Sequence, residues 1–337
     1  MNSDNEDPLV TRNPEEVIEK LNSIVLDSTN NPDCPELAIS GLREGLRHAL
    51  PNSFAFVLTD ASAKDYNQFE VTNNLVQLTQ TSVNFLITGD CGHANGPQME
   101  VYNKLARSSN GQVFDMNRDE IQDVMWAIRN QMNDDFISLR SIDNGVSGSS
   151  RIDFFVDNTI TDLSVTLTGK APFIAIEDPQ NNTVVRTQNL ELTNVRIIGI
   201  NKPVPGQWSI EVKSSSAHSI RLGARSNIKF DFGFSLNSAI RISETSYQPL
   251  RGQQNMLSVF VSNPVMIQSL DFITIISSTM TNKLSLTKTS YNVFATEHFD
   301  IPTSSFKIEL GGVDLSGNKI ERLLSTSIQA VNAGIKY

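Results

Sequence analysis

The sequence predicts a doubly wound α/β unit followed by two all-β sandwich modules, and three observations carry that prediction. Over the first 135 residues, short apolar runs alternate with helical periods, the pattern of a parallel sheet covered by helices. Around residue 136 the hydrophobic pattern changes from helical spacing to strict alternation, as half-buried antiparallel strands require. A second alternating block begins after Gln248. The divisions expected are residues 1–135, 150–245 and 246–337, and a chain of 337 residues is long enough for that many cores.

In the first unit a helix is expected from about residue 35 to residue 50, because Leu42, Leu46, Ala49 and Leu50 fall on one face. Pro35 suits its first turn, where a missing N–H is not needed. Residues 54–58 and 83–87 are near-continuous apolar runs, as strands buried on both faces should be. Ile121, Val124, Met125, Ile128 and Met132 repeat at helical spacing, and Asn117 with Glu120 reads as the capping box of that helix.

In the second unit three sets alternate with polar neighbours: Leu163, Val165 and Leu167, then Trp208, Ile210 and Val212, then Ile228, Phe230, Phe232 and Phe234. Residues 178–182 and 203–206 supply turns, so an antiparallel sandwich is the natural reading. Trp208 belongs to its core rather than to a sugar platform, since Ile210 and Val212 continue its face. Residues 145–150, rich in Gly and Ser, read as the linker. The third unit repeats the alternation at Leu257, Val259 and Val261, and at Phe306, Ile308 and Leu310, with a hairpin turn in residues 311–318 before the last strand. There is no internal repeat and no low-complexity tract.

Composition narrows the function classes. No apolar run approaches the roughly 18 residues of a membrane span. Residues 1–11 have neither a basic start nor an apolar core, so they do not read as a secretory signal, and taken alone the sequence would be placed in the cytoplasm. The formal charge is −10; residues 1–135 carry 21 acidic and 9 basic side chains, whereas residues 136–337 carry 16 and 18. The first unit repels nucleic acid and anionic membrane, and the rest is too balanced to attract them, so nucleic acid is not an expected partner. No dinucleotide, Walker, zinc-protease or nucleophile-elbow motif is present, and His48, His93, His218 and His298 are scattered. The chain is therefore not expected to be an enzyme.

Several longer phrases carry a family resemblance. In the first unit they are Asp33-Cys34-Pro35-Glu36, Phe56-Val57-Leu58-Thr59-Asp60-Ala61, Lys64-Asp65-Tyr66, Leu86-Ile87-Thr88-Gly89-Asp90-Cys91 and Ser108-Ser109-Asn110-Gly111-Gln112-Val113-Phe114. In the second they are Pro205-Gly206-Gln207-Trp208, His218-Ser219-Ile220-Arg221 and Phe232-Gly233-Phe234-Ser235. Together they resemble the hemicentin family of extracellular matrix proteins, over nearly the whole chain and more weakly in the third unit.

The resemblance implies a partial von Willebrand A domain in residues 1–135, two sandwiches, the last immunoglobulin-like, an extracellular location, and non-enzymatic binding of matrix or cell-surface proteins. The family's Asp-x-Ser-x-Ser motif and first strand would have to precede Met1, so the chain is expected to enter that domain part-way. It is expected to stop about where the family's immunoglobulin array begins. The missing strand would leave residues 54–58 as an unpaired, sticky edge, making the first unit the weak part of the molecule.

The same resemblance names candidate site residues. Asp60 matches a cation ligand at the end of a central strand, and Asp33 lies in the second ligand loop, where the usual residue is Thr. A hard cation wants about six oxygens, and the only loose match to the missing motif, Asp162-Leu163-Ser164-Val165-Thr166, lies in an alternating strand. No cofactor is expected unless the missing motif is supplied, and with its partner ligands missing Asp60 reads more readily as a strand-end residue capping a helix or turn. Cys34 and Cys91 both follow strand positions on the ligand-bearing rim; they are read either as a disulfide or as two free buried thiols. Zinc binding with His93 would lack a fourth ligand. Asn181-Asn182-Thr183 is a glycosylation sequon in an expected turn, usable only on export. The rival functions are a carbohydrate-binding or hydrolase-associated sandwich protein, or an inactive fragment of a longer hemicentin-like chain.

Overall fold

The computed structural model describes residues 8–24, 34–133, 135–182 and 184–332. The first unit contains α1 (Pro14–Ser23), α2 (Ala38–His48), β1 (Phe54–Thr59), α3 (Phe69–Thr79), β2 (Ser82–Ile87), α4 (Pro97–Ser108), β3 (Val113–Asp115) and α5 (Ile121–Ile128). Its three strands form a parallel sheet in the order β1-β2-β3. β2 is central and buried on both faces, which is why its sequence is an apolar run. Val83, Phe85 and Ile87 pack on Leu42 and Leu46 of α2 and Leu105 of α4, while Leu86 joins Phe114, Val124 and Ile128 on the other face. β1 is the edge. Among the described residues no strand pairs with its outer side, and Leu58 is 57% exposed.

Two helix ends differ in instructive ways from the sequence expectation. α2 starts at Ala38 rather than at Pro35, because Glu36 instead bridges to Ala63. The remote carboxylate of Asp65 caps the helix, accepting from Ile39 N at 3.2 Å and Ser40 N at 2.6 Å, so a distant anion satisfies the orphan donors. At the 3₁₀ turn Arg118–Glu120 that leads into α5 the local signal suffices: Glu120 Oε2 accepts from Asn117 N at 2.8 Å. The helix gives way after Ile128 to a 3₁₀ turn over Arg129–Met132.

Seventeen further strands follow, β4 (Phe136–Asn144), β5 (Gly148–Val156), β6 (Ile160–Thr168), β7 (Phe173–Glu177), β8 (Gln188–Glu191), β9 (Val195–Asn201), β10 (Gly206–Ser214), β11 (His218–Ser226), β12 (Phe230–Ser235), β13 (Gln254–Val261), β14 (Ile267–Ser277), β15 (Thr281–Ser285), β16 (Thr287–Ser290), β17 (Val293–Ala295), β18 (Phe299–Asp300), β19 (Phe306–Asp314) and β20 (Lys319–Leu323). One sheet of nine strands, β15-β14-β19-β20-β4-β11-β6-β9-β8, runs through both sandwiches. The sheet β5-β10-β7 covers one half of it over a core of Trp208, Ile210, Val165 and Leu222, and Trp208 is only 2% exposed. The sheet β12-β13-β17-β16 covers the other half over Phe232, Phe234, Ile273 and Phe306.

The strand positions move two boundaries. Residues 145–147, expected within the linker, merely turn the chain from β4 in one sheet to β5 in the facing one, so the first sandwich begins at Phe136 rather than at residue 150. β12, expected with the first sandwich, pairs with β13 and belongs to the second, which therefore starts near residue 228 rather than at 246. Alternation tells which face of a strand is buried but not which strand lies beside it. The two sandwiches also share more than a sheet. Arg322 of β20 pairs at 2.7 Å with Asp157, both fully buried, and donates to Thr159 at 3.0 Å.

Candidate functional site

In open α/β sheets ligands bind outside the carboxyl ends of the strands, and those ends bring together Asp60 after β1, Thr88 to Cys91 after β2, and Asp115 in β3. Gly89 makes the rim compact: a Cβ there would lie 2.3 Å from the carbonyl oxygen of Asp60, so only glycine permits this approach. Asp60 pairs with Arg118 at 2.8 Å, with both side chains well exposed. Asp90 Oδ1 accepts from Gly92 N at 2.8 Å. Burial pushes the Asp115 carboxyl above its ordinary range, and the negative charges of Asp90 and Glu120 add to this while Lys170 opposes it. Asp115 accepts from Asn194 Nδ2 at 3.3 Å, across a cleft of about 400 Å³ between the rim and the β8–β9 turn.

Cys34 and Cys91 are bonded to each other, with Cα atoms 5.9 Å apart and a sequence separation of 57, so the chain before α2 is tied to the loop after β2. The pair leaves no thiolate for zinc, and His93 Nδ1 lies 3.1 Å from Ser62 Oγ instead. Asp33 lies outside the described residues. Asp60 is engaged by a guanidinium, and among the described residues no group of three or more His, Cys, Asp or Glu could hold a metal ion. Asp162 to Thr166 lie within β6, with Leu163 and Val165 in the first sandwich core. Among the described residues the donor set does not fit a hard cation.

The opposite, amino end of the sheet is bridged to the sandwiches around a cleft of about 770 Å³ lined by Phe54, Asn84, Gln112, Arg140, Arg221 and Arg322. Gln77 Oε1 accepts from Gln248 Nε2 at 3.1 Å and Gln329 N at 2.9 Å, and Gln80 Oε1 accepts from Thr326 N at 2.9 Å. Gln112 Nε2 donates to the carbonyls of Thr166 and Ser219 at 3.3 and 3.2 Å. Arg221 Nε donates to the carbonyls of Asn110 and Gly111 at 3.0 and 2.9 Å, and its Nη2 pairs with Asp143 at 2.9 Å, with the Arg221 side chain 11% exposed. Beside it, Lys307 donates to Ser141 Oγ at 3.2 Å, and burial with the Arg221 charge lowers its pKa to about 8. Val195 and Ile197 of β9 complete the apolar cluster of Leu86, Phe114 and Val124. Sequence reasoning missed this contact, although two of the quoted phrases, around Asn110 and around Arg221, meet in it.

Comparison with known proteins finds two family models along the chain. Residues 3–118 match the von Willebrand factor A domain model, and residues 139–227 match the model described as hemicentin galactose-binding domain-like. The chain is hemicentin-like. Its relatives include Hemicentin-2 of Mus musculus, 28% identical over 90% of this chain, and Hemicentin-1 of Homo sapiens, 28% identical over 89%. The chain spans 6% of the length of each. von Willebrand factor A domain-containing protein 7 of Mus musculus is 26% identical over 75% of this chain and 30% of its own. The second family match starts inside β4 and ends with β11, in step with the sandwich boundaries described above.

Proposed function

We propose that this hemicentin-like chain is a non-enzymatic binding unit of an extracellular matrix or adhesion-type protein, recognising matrix or cell-surface proteins at the carboxyl rim of its parallel sheet. One observation carries the choice of surface: the rim keeps the ion pair of Asp60 and Arg118 exposed, at 61% and 75% of their side chains. The disulfide at the rim suits an oxidising compartment. Recognition would be polar and metal-free, through a charge pair that a partner can reorganise. The test is retention of purified chain on decellularised matrix. Wild-type chain should be retained and Arg118→Glu should lose most of that retention; equal retention of both, or of neither, contradicts the proposal.

A further inference from the structure

Asn181, Asn182 and Thr183 form the only sequence of the type Asn-x-Ser/Thr in the chain. Thr183 lies outside the described residues; the turn that presents the other two does not. Asp178 organises it: Oδ1 accepts from Gln180 N at 2.9 Å and Asn182 N at 2.8 Å, Oδ2 accepts from Asn182 Nδ2 at 3.2 Å, and the Asp178 carbonyl accepts from Asn181 N at 2.9 Å. Asn182 is thus tied down by its own amide. Asn181 sits at φ 61°, exposed, and its side chain makes no hydrogen bond among the described residues. Asn tolerates that left-handed conformation better than most residues.

The place of this turn matters more than the motif. It opens the connection from β7, an outer strand of the three-stranded sheet, to β8, the outer strand of the nine-stranded sheet. The far side of the first sandwich is closed by its junction with the second through β4 and β20. On the β7/β8 side both sheets end, and bare sheet edges template association with other chains. The connection covers this side only in part: Val184 packs against the sandwich core and Arg186 Nη2 reaches the Ile174 carbonyl of β7 at 3.4 Å, while Val185 is 84% exposed.

We propose that Asn181 carries an N-linked oligosaccharide whose place is to cover the open β7/β8 side of the first sandwich. In the attachment Asn181 Nδ2 bonds to the anomeric carbon of an oligosaccharide presented as its lipid pyrophosphate. The bond from that carbon to the phosphate oxygen breaks, its electron pair leaves with the lipid pyrophosphate, and one Nδ2 proton passes to the transferase. The proposal rests on the extracellular reading, because the transferase and its donor belong to the secretory compartment.

The experiment fuses the full chain behind a cleavable secretory signal in cultured animal cells and recovers it from the medium. A peptide N-glycosidase should increase its gel mobility and leave aspartate at position 181 by mass spectrometry. Asn181→Gln and Thr183→Ala should lose the shift completely, and Asn182→Gln should keep it. Recovery from the medium proves delivery, so an unmodified Asn181 there overturns the site without touching the question of natural export. That question is read separately, by locating the protein in its native cells. The covering role is read on the recovered glycoprotein: enzymatic deglycosylation without unfolding should raise the dimeric and larger species several-fold by light scattering. An unchanged monomer fraction overturns that role.

Discussion

The two ends of one small parallel sheet have opposite fates in this chain. At the amino end Gln77, Gln80 and Gln112 are buried and each bonds to a sandwich, joined by Arg221 with its ion pair to Asp143. At the carboxyl rim the corresponding ion pair, Asp60 with Arg118, stands in solvent at almost the same distance, 2.8 against 2.9 Å. Distance does not decide what a charge pair contributes. Removing one partner of a buried pair leaves the other charge without solvent or counter-ion, whereas an exposed pair exchanges its partner for water at little cost. The amino end therefore holds the molecule together, and the rim is free to change partners.

The largest effect should come from Arg221→Ala. It leaves the buried carboxylate of Asp143 with Ser219 Oγ at 2.7 Å and the nearby Lys307 but no guanidinium, and strands two backbone carbonyls; it should cost roughly 3 kcal/mol in urea unfolding, with the single transition separating into two. A cost below about 1 kcal/mol would make the amino end no different from the rim. Replacing Cys34 and Cys91 together by Ala releases the loop between them and should cost about 3–4 kcal/mol on the chain-entropy argument. Because that bond ties only the rim, the transition should stay single.

The contrast also has a pH signature. Lys307 has a folded pKa of about 8 against an ordinary 10.5. Between those values the unfolded chain holds the Lys307 proton that the folded one has lost, so stability should rise with pH from about 8 towards 9, before Tyr102 and Tyr247, whose pKa values burial raises, oppose it near 10. Lys307→Met should abolish that slope, and a wild-type stability that is flat across this window would show that the lysine is not held in a dry site. At the small end, Asp60→Ala should change stability by less than about 1 kcal/mol while weakening matrix retention.

Much of this arrangement was legible and some was not, for physical reasons. β2, β6, β10, β13 and β19 were readable because each buries a face in a core, which leaves a periodic trace. The capping of the 3₁₀ turn that leads into α5 was readable because donor and acceptor are three residues apart. The start of α2 was not, since its cap, Asp65, is 26 residues from Ile39 in sequence. The buried glutamines were invisible for a similar reason: a polar residue buried by a distant partner looks the same in sequence as one in water. Among the described residues no strand pairs with the outer side of β1, where an exposed edge was expected. The same reasoning made the first unit weak as a whole, without the apolar cluster it shares with β9.

Native-state hydrogen exchange tests the central claim most directly, because it reads the opening free energy of each strand in the intact chain. If the amino end locks the sheet onto the sandwiches, the amides of β2 should open only with those of β10, at one common free energy in a monomeric sample, while the outward amides of β1 exchange earlier. If β2 instead exchanges well before β10, with the sandwiches still protected, the first unit opens on its own. The buried contacts at Gln77, Gln112 and Arg221 would then not hold the molecule together.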